Sequence, residues 1–186
     1  MHCRLIPLSL LTLAACSPSG NQGQAPDNAI RLPLPTEPAP LEAPPQQPEG
    51  AVWSGLANGG VAFGLPGQAP LLEVACIHAK DGTAMVSYTR RTRAEAGAKA
   101  LLAIEGNGHV ARVPLDVVKA GDPGEWQGAM PAKLETAAAI KGGAEMTATL
   151  PGGGALKMPS YSGAGALLDS CRASDVKPET KPDAKP

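Results

Sequence analysis

Residues 51–172 predict a mainly β fold, a small antiparallel β-sandwich or barrel-like domain with two short helices near its C-terminal end. Three observations carry that expectation. Short apolar runs alternate with glycine and proline breaks, the spacing of closely packed strands. Asp81-Gly82 and Asn107-Gly108 each separate two such runs, and both dipeptides favour the left-handed backbone of tight hairpins. After Pro131 the apolar period lengthens from two residues to that of a helix.

Taken in order, "VAFG" at Val61–Gly64 and "LLEVACIHA" at Leu71–Ala79 read as strands. In the second, Leu72, Val74, Cys76 and His78 share one face, because side chains alternate along a strand. "KDGT" then turns the chain, so "AMVSYTR" returns antiparallel. "ALLAIEG" and "VARVPLDVV" flank the Asn107-Gly108 turn, and "EWQGAMPA" places Trp126 and Met130 on one side of a further strand. "PAKLETAAAIKGG" opens with proline, spaces Leu134, Ala137, Ala138 and Ile140 helically and stops at Gly142-Gly143, which predicts a short helix. "AEMTATL" and "ALKMP" form a last hairpin across "PGGG". "SYSGAGALLDSCR" predicts a terminal helix capped by Ser160 or Ser162, with its glycines acting against it.

The flanks differ in composition. Residues 16–50 are dense in proline, glutamine and glycine and cannot bury enough apolar surface to offset ordering entropy, so they predict a disordered tether. Residues 173–186, built on Lys-Pro pairs, predict a disordered tail. Ahead of the tether, "LIPLSLLTL" at Leu5–Leu13 follows a short cationic start. At about nine residues it falls short of the roughly 20 that a spanning helix needs, and it has the form of a secretory signal over residues 1–15.

That signal ends in Leu13-Ala14-Ala15-Cys16, which resembles the lipobox of bacterial outer-membrane lipoproteins. The resemblance implies cleavage before Cys16, lipidation of its thiol by acyl chains such as palmitate, and anchorage without a spanning helix. Ser17 in place of an aspartate then implies export to the outer membrane, facing the periplasm. Over roughly Pro131–Arg172, the pattern "LETAAAIKGGAEMTATL…ALKMPSYSGAGALLDSC" resembles small exported proteobacterial domains of the invasion-associated locus B type. It is a pattern of apolar and glycine positions, supports the β-rich fold and transfers no functional residue.

The inventory of reactive side chains is short. Net charge is −1, with 16 basic and 17 acidic residues, so no global basic field points to nucleic acid. No CxxC, HxxxH, HExxH, GxSxG or Walker-type motif occurs, and the sequence implies no metal and no cofactor. Cys76 and His78 lie on one strand face, but residues i and i+2 stand ~7 Å apart, beyond direct proton transfer. With Cys3 in the signal and Cys16 lipidated, Cys76 and Cys171 remain for a disulfide in an oxidising compartment. The one concentrated basic stretch is "YTRRTR". Arg90, Arg91 and Arg93 read as a strand running out into a solvated loop, a candidate patch for phosphates or carboxylates. The expectation is a lipid-anchored, non-enzymatic binding domain whose partner is an envelope protein or an anionic envelope polymer. The alternatives are an envelope hydrolase with a dispersed site and an inhibitor of a periplasmic or host enzyme.

Overall fold

A computed structural model describes residues 43–175. The signal segment, Cys16, most of the tether and the Lys-Pro tail beyond Asp175 lie outside the described residues. Nine strands follow in order: β1 (Val52–Gly55), β2 (Val61–Gly64), β3 (Leu72–His78), β4 (Ala84–Ala94), β5 (Lys99–Gly106), β6 (His109–Lys119), β7 (Gly121–Pro131), β8 (Met146–Leu150) and β9 (Gly154–Met158). A 3-10 helix at Glu135–Ile140 precedes β8, and helix α1 (Ser162–Ala173) follows β9.

All nine strands belong to one antiparallel sheet, in the order β1-β2-β3-β4-β7-β6-β5-β8-β9. The sheet curls into a nearly closed barrel, and sequence explains where it bends. β7 pairs along most of β4, but it pairs with β6 only from Asp116 onward. Pro114 lies just beyond the end of that ladder; it has no N–H to give one, so the position suits it. Gly128 faces this corner, where a Cβ would stand 2.0 Å from the Pro114 carbonyl oxygen. The two outermost strands meet again through side chains. The Trp53 indole N–H donates to the Pro159 carbonyl at 3.0 Å, and its ring stacks on Tyr161 with centroids 5.5 Å apart.

Both hairpin dipeptides turn the chain as expected. Gly106 pairs with His109, leaving Asn107-Gly108 as a two-residue turn with φ of 51° and 75°, the left-handed pair that such a loop demands. Asn107 also works beyond its own turn. Its amide donates to the Ala139 carbonyl at 3.1 Å and accepts from the Gly143 N–H at 3.1 Å, closing the end of the 3-10 helix.

The inward residues of β2 to β9 make the core, with Tyr88, Phe63, Leu102, Ile104 and Val86 fully enclosed. α1 adds Ala164, Leu167, Leu168 and Cys171, spaced so that they fall on one helix face.

Four details depart from the sequence reading. The segment after Pro131 is a six-residue 3-10 helix, about two tight turns, with its buried alanines set against β6 and β5. β1, not expected as a strand, pairs with β2. Neither Ser160 nor Ser162 caps α1; Tyr161 holds the N-cap position without a side-chain bond, its ring committed to Trp53. The glycines of α1 are assets at close range, since a Cβ on Gly165 would meet the Lys141 carbonyl oxygen at 2.5 Å. The packed unit also reaches past 51–172 at both ends. Gln47 bonds the backbone of Lys157, and Asp175 accepts from the Ala84 N–H at 3.0 Å.

Candidate functional site

The chemistry-bearing side chains gather at two opposite ends of the barrel. One end holds the arginines. β4 does not run out into a loop after Tyr88; it continues to Ala94, and alternation sends its arginines to opposite faces. Arg90 points inward and is 3% exposed. Its guanidinium donates to the carbonyls of Leu71 at 3.0 Å, Arg91 at 2.7 Å and Gly153 at 2.9 Å. Thr92, also inward, donates to the same Gly153 carbonyl at 3.3 Å. Burial lowers the Arg90 pKa to about 10, which leaves it charged at neutral pH. It therefore acts as a cationic bolt joining β4, the entry to β3 and the β8–β9 turn.

Arg91 points outward between two carboxylates, 2.9 Å from Glu73 Oε1 and 3.4 Å from Glu125 Oε2. Arg93 Nε lies 3.8 Å from Asp122 Oδ2. The expected three-arginine patch is corrected accordingly. Arg90 is structural and interior, and Arg91 is neutralised on both sides by neighbouring strands. The signal was present in the sequence: the inward series Ala84, Val86, Tyr88 continues in step to Arg90, Thr92 and Ala94.

The other end holds the staple. Cys76 of β3 and Cys171 of α1 form a disulfide with Cα atoms 5.5 Å apart. Beside it, His78 Nε2 stands 3.1 Å from both the carbonyl and the hydroxyl oxygen of Ser174. A serine at this distance from a histidine has the contact of a nucleophile with its base. Its surroundings oppose that chemistry. The Ser174 hydroxyl donates to the Cys171 carbonyl at 2.8 Å, at the C-terminal end of α1, where carbonyl oxygens repel a developing oxyanion. Asp175 closes the group by pairing with Lys133, which, with the Ala84 N–H, holds its carboxyl below the usual range. The cluster fixes the end of α1 to the β3–β4 hairpin.

Two of the open clefts on the outer wall combine apolar and polar side chains. One, of about 520 Å³, runs over β1 to β3, with Val52, Leu56, Leu65 and Pro70 around a floor that includes Ala62 and Gly64. The other, of about 470 Å³, crosses β3, β4, β7 and β6, where Ile77 (44% exposed) and Val118 (55% exposed) flank Ser87, Thr89 and Ala129. The acidic groups bordering them are paired, Glu73 with Arg91 and Asp116 with Lys99 at 2.6 Å. Among the described residues no group of three or more His, Cys, Asp or Glu side chains is placed to hold a metal ion. No family model matches the chain, and neither curated proteins nor solved structures give a match to it. Fold and geometry together describe a disulfide-stapled antiparallel β barrel with shallow, charge-compensated outer clefts.

Proposed function

We propose that this chain is a bacterial envelope lipoprotein, anchored to the outer membrane by lipid on Cys16, whose β domain binds an envelope protein or polymer without catalysis. The observation that carries this reading is the Cys76–Cys171 disulfide. Such bonds persist in oxidising compartments such as the periplasm, and this one uses both cysteines of the packed domain. It agrees with a chain whose Leu13-Ala14-Ala15-Cys16 follows an apolar segment too short to span a bilayer. Acyl chains contribute about 0.8 kcal/mol per buried CH₂, so more than one chain gives stable anchorage.

The binding reading draws support from the outer wall. Its clefts are shallow and partly apolar, and their carboxylates are already engaged by arginine or lysine. The cleft over β1 to β3 is the better contact surface, because aliphatic and proline side chains surround its small-residue floor. As a random coil, a tether of some 30 residues averages roughly 30 Å end to end, which concentrates the domain near envelope targets.

Intact mass of membrane-extracted protein tests the anchor. The expected species starts at Cys16 with acyl mass added, and Cys16→Ala should release the domain from the membrane fraction. Normal membrane retention of the Cys16→Ala chain refutes the anchor.

A further inference from the structure

β9 is the last strand of the sheet, and its outer edge is closed without a tenth strand. The Lys157 N–H donates to Gln47 Oε1 at 2.7 Å, and Gln47 Nε2 donates to the Lys157 carbonyl at 3.1 Å. One amide thus gives and takes a bond on a single residue, the exchange that a hydrogen-bonded partner on a neighbouring antiparallel strand would make. Two residues further on, the Pro159 carbonyl accepts from the Trp53 indole. At the start of β9 the strap bearing Gln47 crosses so near that a Cβ on Gly154 would lie 2.4 Å from the Pro45 carbonyl oxygen. Pro44, Pro45 and Pro48 have no N–H, so the strap is a poor ladder strand in its own right. The closure of Lys157 rests on one side-chain amide at the surface.

We propose that residues 44–47 are a displaceable guard over a strand-pairing edge, and that the occupant they exclude is the β9 edge of a second copy of this chain. An uncovered edge is a template for another strand. The β9 sequence is suited to pairing with itself. About a twofold axis through Leu156, antiparallel β9 strands set Ala155 opposite Lys157 of the other copy, twice. Both are exposed on the outer face, so the small alanine leaves room for the lysine stem, and the two lysines stay apart. Leu156 and Met158 face the core and keep their packing. The inference stands on the strap geometry and does not depend on lipid anchorage.

The test uses the full chain in density-matched detergent, with sedimentation equilibrium and amide exchange. Q47A should self-associate at least tenfold more tightly than the wild type, and in dilute, monomeric samples its Lys157 amide should exchange at least tenfold faster. Adding A155K to Q47A sets lysine against lysine in both pairs and should return association to the wild-type level. Equal association of wild type and Q47A overturns the proposal. So does a Q47A association that A155K leaves unchanged, which places the contact on another face. Should Q47A not fold, Q47E, which retains the acceptor and loses the donor, carries the same comparison. Association above wild type supports the guard, and equality refutes it.

Discussion

Arg90 and Arg91 are adjacent in sequence and opposite in consequence. Replacing Arg90 with alanine removes three charged bonds from the interior, each contributing about 1.5–3 kcal/mol before compensation, and Thr92 and the Arg91 N–H still donate to the Gly153 and Leu71 carbonyls. Urea denaturation of R90A should show a loss of roughly 2–4 kcal/mol. R91A removes partly exposed ion pairs and should lose at most about 1 kcal/mol. Alanine at Arg90, Arg91 and Arg93 together should therefore compromise folding, so the triple variant cannot serve as a simple binding probe. Asp175 gives a pH dependence. Its folded carboxyl titrates lower than in the unfolded chain, because Lys133 and the Ala84 N–H hold the charged form. The stabilisation it supplies is complete above the unfolded value of about 4 and is lost as pH falls through the lower folded value. D175N should flatten that acid limb in thermal melts between pH 5 and pH 2, with little change in its slope above pH 6.

At the scale of elements, the disulfide and the Asn107 turn are the informative cases. Breaking Cys76–Cys171 by a double serine substitution reopens a separation of 95 residues, and chain entropy puts the loss at about 4–5 kcal/mol. Non-reducing peptide mapping should recover the linked peptides, and the serine variant should melt well below the oxidised protein. N107G retains a residue at home in the left-handed turn but removes the amide that closes the 3-10 helix. It should lose about 1–2 kcal/mol while the β5–β6 pairing persists by amide exchange. The hairpins were legible in sequence because turn dipeptides act locally. The 3-10 geometry was not, since the contacts that fix it come from Asn107, 28 residues before Glu135. β1 escaped notice for a related reason. Its four residues are largely exposed, and beyond the pairing with β2 they are held by Trp53, whose partners Pro159 and Tyr161 lie more than 100 positions away. The serines before α1 looked like caps on local grounds, but the stacking of Tyr161 on Trp53 decides where the helix begins.

Across the whole molecule, the seam between β1 and β9 is where closure is thinnest. W53A removes the bond to Pro159, the stack on Tyr161 and the contact with Phe63 at 5.3 Å, and should destabilise by about 2–4 kcal/mol. The remaining tryptophan, Trp126, sits at the far bend of the sheet and donates to the Arg93 carbonyl, so its fluorescence should report whether the rest of the barrel stays closed. The overall β class was readable because alternation and turn chemistry agree along the entire domain. Its outer clefts were not, because they are assembled from strands that meet only after the sheet has curled.

The two ends of the packed unit lie at opposite poles. Pro45 enters beside Gly154, next to the Gly153 carbonyl that Arg90 bolts to Leu71, whereas Asp175 leaves beside Ala84 and His78. A chain held at one terminus and pulled at the other would therefore load the barrel lengthwise. Force would run along the strands, and neighbouring hydrogen bonds would share it as shear instead of parting one at a time as in a zipper. Cys76–Cys171 would clamp the exit and Arg90 the entrance, which makes the domain a stiff link in series between its two tails.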